Sequence, residues 1–109
     1  MFDIYTVILI LFAHFIADFI CQTDKIAINK SDSLGYLSLH ALMYSMLFLI
    51  WGFYFFLATF ILHWIVDFFS SKLTTRLFKA GERHWFFVVI GFDQFVHVTG
   101  LFITYYLLM

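Results

Sequence analysis

Apolar residues run along the chain in long blocks that two polar stretches interrupt, at residues 22–33 and 72–84. A membrane core takes about 20 helical residues to cross. Phe2 to Cys21 fits one crossing. Between Leu34 and Ser71 the lone charged residue is Asp67, and this block is too long for a single span. It must fold back, and Trp51-Gly52-Phe53-Tyr54 offers the place, with glycine for the turn and aromatics for the interface. The second span is then Tyr36 to Trp51 and the third Phe53 to Ser71. The fourth runs from Trp85 almost to the end, with Tyr105 and Tyr106 in its outer belt. Ile26 and Ile28 punctuate the first polar stretch as a short interfacial helix would. The predicted fold class is an all-α integral membrane bundle. Residues 1–109 form one domain of four transmembrane helices in two tandem helical hairpins.

Composition sharpens this picture. Hydrophobic residues make up 64% of the 109 positions and charged residues 12%. A soluble domain of this size needs far more polar surface. The net charge of -1 leaves no basic face for a nucleic acid. Cys21 is the single cysteine, which excludes an internal disulfide, and the absence of proline permits long unbroken helices. The first block has no basic residues before it and no small-x-small cleavage site after Cys21, so it reads as a mature helix rather than a signal peptide. All of the Lys and Arg residues (Lys25, Lys30, Lys72, Arg76, Lys79 and Arg83) sit in the two polar stretches. Four spans put both stretches on one side, and the positive-inside rule makes that side cytoplasmic, with both termini extracytoplasmic. The expected location is a bacterial inner membrane, with lipids as neighbours and enough exposed aromatic surface to leave room for a homo-oligomer.

Polar groups inside the spans change the question from fold to chemistry. His14-Phe15-Ile16-Ala17-Asp18-Phe19 in the first span repeats as His63-Trp64-Ile65-Val66-Asp67-Phe68 in the third. Both spans run in the same direction, as in a tandem repeat of hairpins about an axis normal to the membrane. Each His lies about nine residues, and each Asp about five, from a polar stretch, or roughly 13 Å and 8 Å inside. The second span places His40 about five residues in, and the fourth places Asp93 and His97 about nine and thirteen residues in. His14/Asp18, His63/Asp67 and Asp93/His97 are all i,i+4 pairs, each sharing one helical face.

An ionisable group at this depth costs at least a few kcal/mol unless it is paired or coordinates a cation. Neutral imidazole and carboxylate are ligands for zinc and related metals, and i,i+4 spacing lets two of them chelate one ion. His14, Asp18, His40, His63, Asp67, Asp93 and His97 are therefore the candidate ligands, sufficient for one or two divalent cations, with aspartates as bridges. Asp18, Asp67 and Asp93 are also the candidate catalytic groups, one acting as base toward a metal-bound water. Gln22, one turn past Asp18, and Gln94 are candidates to orient a ligand or bind substrate, although Gln94 points away from the Asp93 face of a regular helix. Lys72 could meet an anionic headgroup, against the plainer role of an interfacial anchor.

Each His-Asp pair alone reads equally well as an internal hydrogen bond that neutralises a helix for packing. Three pairs and His40 at one depth favour a metal site over that. A proton or ion relay is the rival reading, but it needs polar groups continuing outward, and the outer halves offer only Thr6, Ser45, Thr59, Thr99 and Thr104. A non-enzymatic interaction protein is a third reading. His84, beside Arg83 and Trp85, and Cys21 read as an interfacial residue and a packing residue respectively.

The order H-x-x-x-D-F-x-x-Q (His14, Asp18, Phe19, Gln22), a lone His40, a second H-x-x-x-D (His63, Asp67) and D-Q-x-x-H (Asp93, Gln94, His97) resembles a family of short bacterial and phage membrane proteins, domain of unknown function 3307. The resemblance implies a shared polar site and brings no activity with it. A looser likeness, confined to the His-x-x-x-acid pairs, is to helical zinc-dependent hydrolases of the phospholipase C and P1-nuclease type. That likeness implies phosphoester hydrolysis. Together these readings point to a membrane-embedded metal-dependent hydrolase, with zinc as the expected ion and a lipid or lipid-linked phosphoester as the expected substrate.

Overall fold

A computed structural model describes residues 2–109, which contain helices and, among the described residues, no strand. Helix α1 (Ile4–Phe15) continues into a π-helical turn (Ile16–Ile20), and a short α2 (Asp24–Asn29) follows. Helix α3 (Leu34–Met46) tightens into a 3-10 turn (Leu47–Trp51), and two long helices complete the chain, α4 (Phe53–Lys79) and α5 (Arg83–Leu108). Leu34–Trp51, Phe53–Lys79 and Arg83–Leu108 are each long and apolar enough to cross a membrane, and Ile4–Ile20 is a shorter apolar helix. The molecule measures 43 × 27 × 21 Å, and its long dimension matches a bilayer with its headgroups, about 40–45 Å.

The helices begin where short polar side chains take up free backbone N–H groups. The Asp3 carboxylate accepts from Thr6 N at 2.7 Å, Thr23 Oγ1 from Ile26 N and Ser33 Oγ from Tyr36 N, both at 3.3 Å. Those bonds to Asp3, at the bundle's far end, hold its carboxyl below the ordinary value. The chain reverses at Gly52, whose φ of 111° and ψ of 167° suit glycine. The second reversal is Gly81, at φ 76°, with Glu82 N bonded back to Leu77 O at 2.9 Å in a Schellman-type close. Helix α4 thus runs about two turns past Ser71, and much of the second polar stretch is helix carrying Lys72, Arg76 and Lys79.

Helix α4 packs against α3 and α5, while α1 packs against α5 and its π-helical end against α3. The helices thus close into a ring in the order α1, α3, α4, α5. Its outside is apolar: Phe69, Phe87, Phe92 and Phe95 are 63–68% exposed. Its axis is polar at one level, where His14, Asp18, His40, His63, Asp67 and His97 are all buried. In the half away from the polar stretches, Ile10, Phe48, Phe55 and Leu101 fill the axis. Water rewards the opposite arrangement, whereas lipid outside and hydrogen-bonded polar groups inside reward this one. The all-helical fold is compatible with a membrane helical bundle.

Candidate metal centre

Four side chains from three segments converge on the axis. The π-helical turn delivers Asp18, α3 delivers His40, and α4 delivers His63 and Asp67. His40 Nε2 lies 3.1 Å from Asp18 Oδ1, 3.3 Å from Asp67 Oδ2 and 3.0 Å from His63 Nε2. His63 Nε2 in turn lies 3.2 Å from Asp67 Oδ2 and 3.7 Å from Asp18 Oδ1. Four ligand atoms set tetrahedrally about 2.0–2.1 Å from a common centre are about 3.3–3.4 Å apart. The observed separations straddle that edge length. Two imidazole nitrogens and two carboxylate oxygens are a donor set suited to zinc and its neighbours. This buried His/Asp group can hold a metal ion. The His63 Nδ1 atom is buried with no hydrogen-bond partner, so no protein acceptor fixes the tautomer of this ring.

A second group, Asp18, Asp93 and His97, adjoins the first. The two groups share carboxylates. Asp67 turns Oδ2 toward His40 and His63 and Oδ1 toward His97 Nε2, at 2.9 Å, and His97 Nε2 is 3.2 Å from Asp93 Oδ1. Ser70 Oγ donates to Asp93 Oδ1 at 2.6 Å.

Around these groups runs a directed chain of hydrogen bonds. Gln94 Nε2 sits 3.1 Å from Asp18 Oδ2 and 3.2 Å from Asp93 Oδ2, and only an N–H can face two carboxylates. Its Oε1 must then accept from His14 Nε2, at 2.7 Å, which leaves His14 Nδ1 to accept the Tyr44 hydroxyl proton, also at 2.7 Å. His14 therefore orients Gln94 and stands outside both ligand groups. The spacing rule that put it among the ligands assumed an unbroken α-helix between His14 and Asp18. The π turn, closed by Cys21 N to Ile16 O at 2.9 Å, breaks that register, and the two residues communicate through Gln94. The other two i,i+4 pairs, His63/Asp67 and Asp93/His97, meet directly.

Gln22 and Lys72 lie off the ligand atoms. Gln22 Oε1 accepts from Lys30 Nζ at 3.0 Å, and Lys72 Nζ donates to Ser31 O at 2.9 Å, tying the 22–33 segment to α4. His84 is exposed and Cys21 half-buried. Two further residues escape the spacing argument. Lys30 reaches back from α2 to Asp67 Oδ2, at 3.2 Å, and only tertiary structure could show it. Tyr44 stacks on His63 with ring centroids 3.8 Å apart, and its position one turn past His40 was a readable signal.

The cluster is the floor of a groove of about 590 Å³. Asp18, Asp67, Asp93 and Gln94 form the polar end, Phe19, Phe78, Phe86 and Ile90 are among the apolar walls, and Gln22, Lys30, Lys79, Thr74 and Thr75 also line it. On the far side of the imidazoles a pocket of about 80 Å³ is bounded by Thr59 and Thr104, whose hydroxyls are spent on their own helices.

No curated protein and no solved structure matches this chain. A family model described as a protein of unknown function (DUF3307) matches residues 6–109, which take in every residue of both ligand groups, the π turn and the groove. The chain belongs to that family.

Proposed function

We propose that this protein is a four-span, metal-dependent hydrolase acting on a lipid or lipid-linked phosphoester at the cytoplasmic leaflet of a bacterial inner membrane. The polar stretches face the cytoplasm and both termini lie outside. One observation carries the reading: a candidate metal cluster forms the floor of a groove whose walls are apolar and whose lining includes lysines. Such a groove suits an amphiphile, with its chains along the phenylalanines and its phosphate against the cluster.

A divalent cation in this donor set, zinc the best fit, would lower the pKa of a bound water and stabilise charge on phosphoryl oxygens. The protein groups do the rest. Asp93, held by Ser70 and Gln94, accepts a proton from the attacking water. The water oxygen bonds to phosphorus, the ester P–O bond breaks, and the proton passes to the departing alkoxide, leaving an alcohol and a phosphate. Lys30 and Lys79 neutralise the anionic headgroup.

A conduit for ions or protons is less well supported. Above the imidazoles the core is Ile10, Phe48, Phe55 and Leu101, and the buried hydroxyls of Ser45, Thr59 and Thr104 there donate to carbonyls of their own helices.

The test is metal analysis of detergent-purified protein, wild type beside His63→Ala and Asp93→Ala, followed by release of phosphomonoester from phospholipid micelles and of inorganic phosphate from polyprenyl-phosphate micelles. Bound zinc or a related ion that is reduced in the variants, with release that falls in parallel, is the expected result. Folded protein that takes up no divalent ion removes the metalloenzyme reading. Metal without turnover of either substrate class removes the hydrolase.

A further inference from the structure

We infer that the cluster is a dinuclear centre whose two positions differ in kind: a closed inner position, and an outer position open to the groove that is completed by a phosphate. The inference rests on the metal-binding reading above and assigns the roles within it. His40, His63, Asp18 and Asp67 supply four donors to the inner position, with separations that fit a tetrahedron and with both imidazoles off the groove. Four protein ligands close a zinc site, whereas catalytic sites keep a place free.

The outer position has a different donor set. Asp93 and His97 belong to it alone, and Asp18 is shared. Asp67 bridges, since its Oδ1 faces His97 while its Oδ2 faces His40 and His63. Asp18 bridges in the same way, with Oδ1 toward His40 and Oδ2 on the side of Gln94 and Asp93. Carboxylates used through both oxygens are how paired metals are held about 3.5–4 Å apart. Asp18, Asp67 and Asp93 line the groove, whereas His40 and His63 do not, so free coordination at the outer position faces the substrate.

Charge sets the order of filling. Three carboxylates face one ammonium, that of Lys30, and the excess of negative charge is that of one divalent cation. The first ion neutralises the cluster. A second makes it positive inside a low-dielectric bundle, at a cost that an incoming phosphate offsets. The Gln94 amide already bonds Asp18 and Asp93 and must be displaced, which also weakens the second ion.

The experiment is a cobalt(II) titration of the full-length protein in detergent, read by equilibrium dialysis and visible absorption, with and without inorganic phosphate. Wild type should bind two ions in two steps. The first gives the intense absorption of four-coordinate cobalt, the second a weak one, and phosphate tightens the second step at least tenfold. Asp93→Asn and His97→Gln, two independent variants checked for helicity and dispersity, should each retain the first step and lose the second. One ion in wild type, undisturbed in both variants, overturns the dinuclear assignment and leaves a single-metal enzyme standing. Two ions with no response to phosphate overturn the open position. No bound cobalt in folded wild type overturns both this inference and the reading on which it rests.

Discussion

Asp67 contacts four side chains: Lys30 at the end of α2, His40 on α3, His63 on α4 and His97 on α5. Truncating one partner of a buried charged network leaves the others unpaired, at about 3–5 kcal/mol. Asp67→Ala should therefore lose about that much stability to denaturant in detergent, together with all high-affinity metal. Equal unfolding midpoints for variant and wild type would show that the network is not stressed in the way described. Lys30 predicts the opposite sign for metal. Its ammonium competes with a cation for Asp67 Oδ2, so Lys30→Met should tighten the inner metal about tenfold, or about 1.4 kcal/mol, in a chelator competition, while weakening turnover of anionic substrate. These two residues also mark where reading the chain succeeds and stops. The His-x-x-x-Asp spacing singles out Asp67 because helical period and depth are local properties. Lys30 meets Asp67 only because α2 folds back beneath the bundle, and no periodicity encodes that. His14 shows a subtler limit, since its spacing is right but a single wide turn moves it from ligand position to the support of Gln94.

Helices and turns were largely legible for the same local reason. Gly52 between two aromatic residues announced a reversal, and the positive φ there is what demands a glycine. No atom lies within 4 Å of where a Cβ would stand, so the demand comes from the backbone alone. Gly52→Ala should cost about 1–3 kcal/mol of stability with metal stoichiometry unchanged. A variant that unfolds normally but fails to bind metal would mean that this turn controls the centre rather than the hairpin. The π turn was not legible. Ile16–Ile20 is apolar apart from Asp18, and nothing in such a run distinguishes i→i+5 backbone bonding from i→i+4. Its consequence is clear in three dimensions, where Asp18 meets His40 across the bundle and leaves His14 to Gln94. The repeat is accordingly unequal. Each aspartate reaches the histidine of the helix that follows it, Asp18 to His40 and Asp67 to His97, but only the second copy also joins its own i,i+4 histidine directly.

For the whole molecule, the decisive property is asymmetry along the bundle axis. Charged residues, the groove and the ligand groups crowd one end, while aromatic and aliphatic side chains close the other. A hydrolase that works on headgroups from one leaflet needs that arrangement, and a conduit does not tolerate it. The asymmetry also makes orientation testable with the protein's own single thiol. Cys21 is half-buried and ends the π turn beside the first polar stretch, on the side assigned here to the cytoplasm. A membrane-impermeant maleimide should label it in inverted vesicles and leave it unlabelled in intact spheroplasts. In Cys21→Ser carrying Met109→Cys the two results should exchange, because four spans leave three crossings, an odd number, between Cys21 and the C-terminus. Labelling of both thiols from the same side would require an even number of crossings after Cys21 and would remove the four-span topology. Labelling of Cys21 in intact spheroplasts would put the groove on the outer face, and a cytoplasmic substrate would have no route to Asp93.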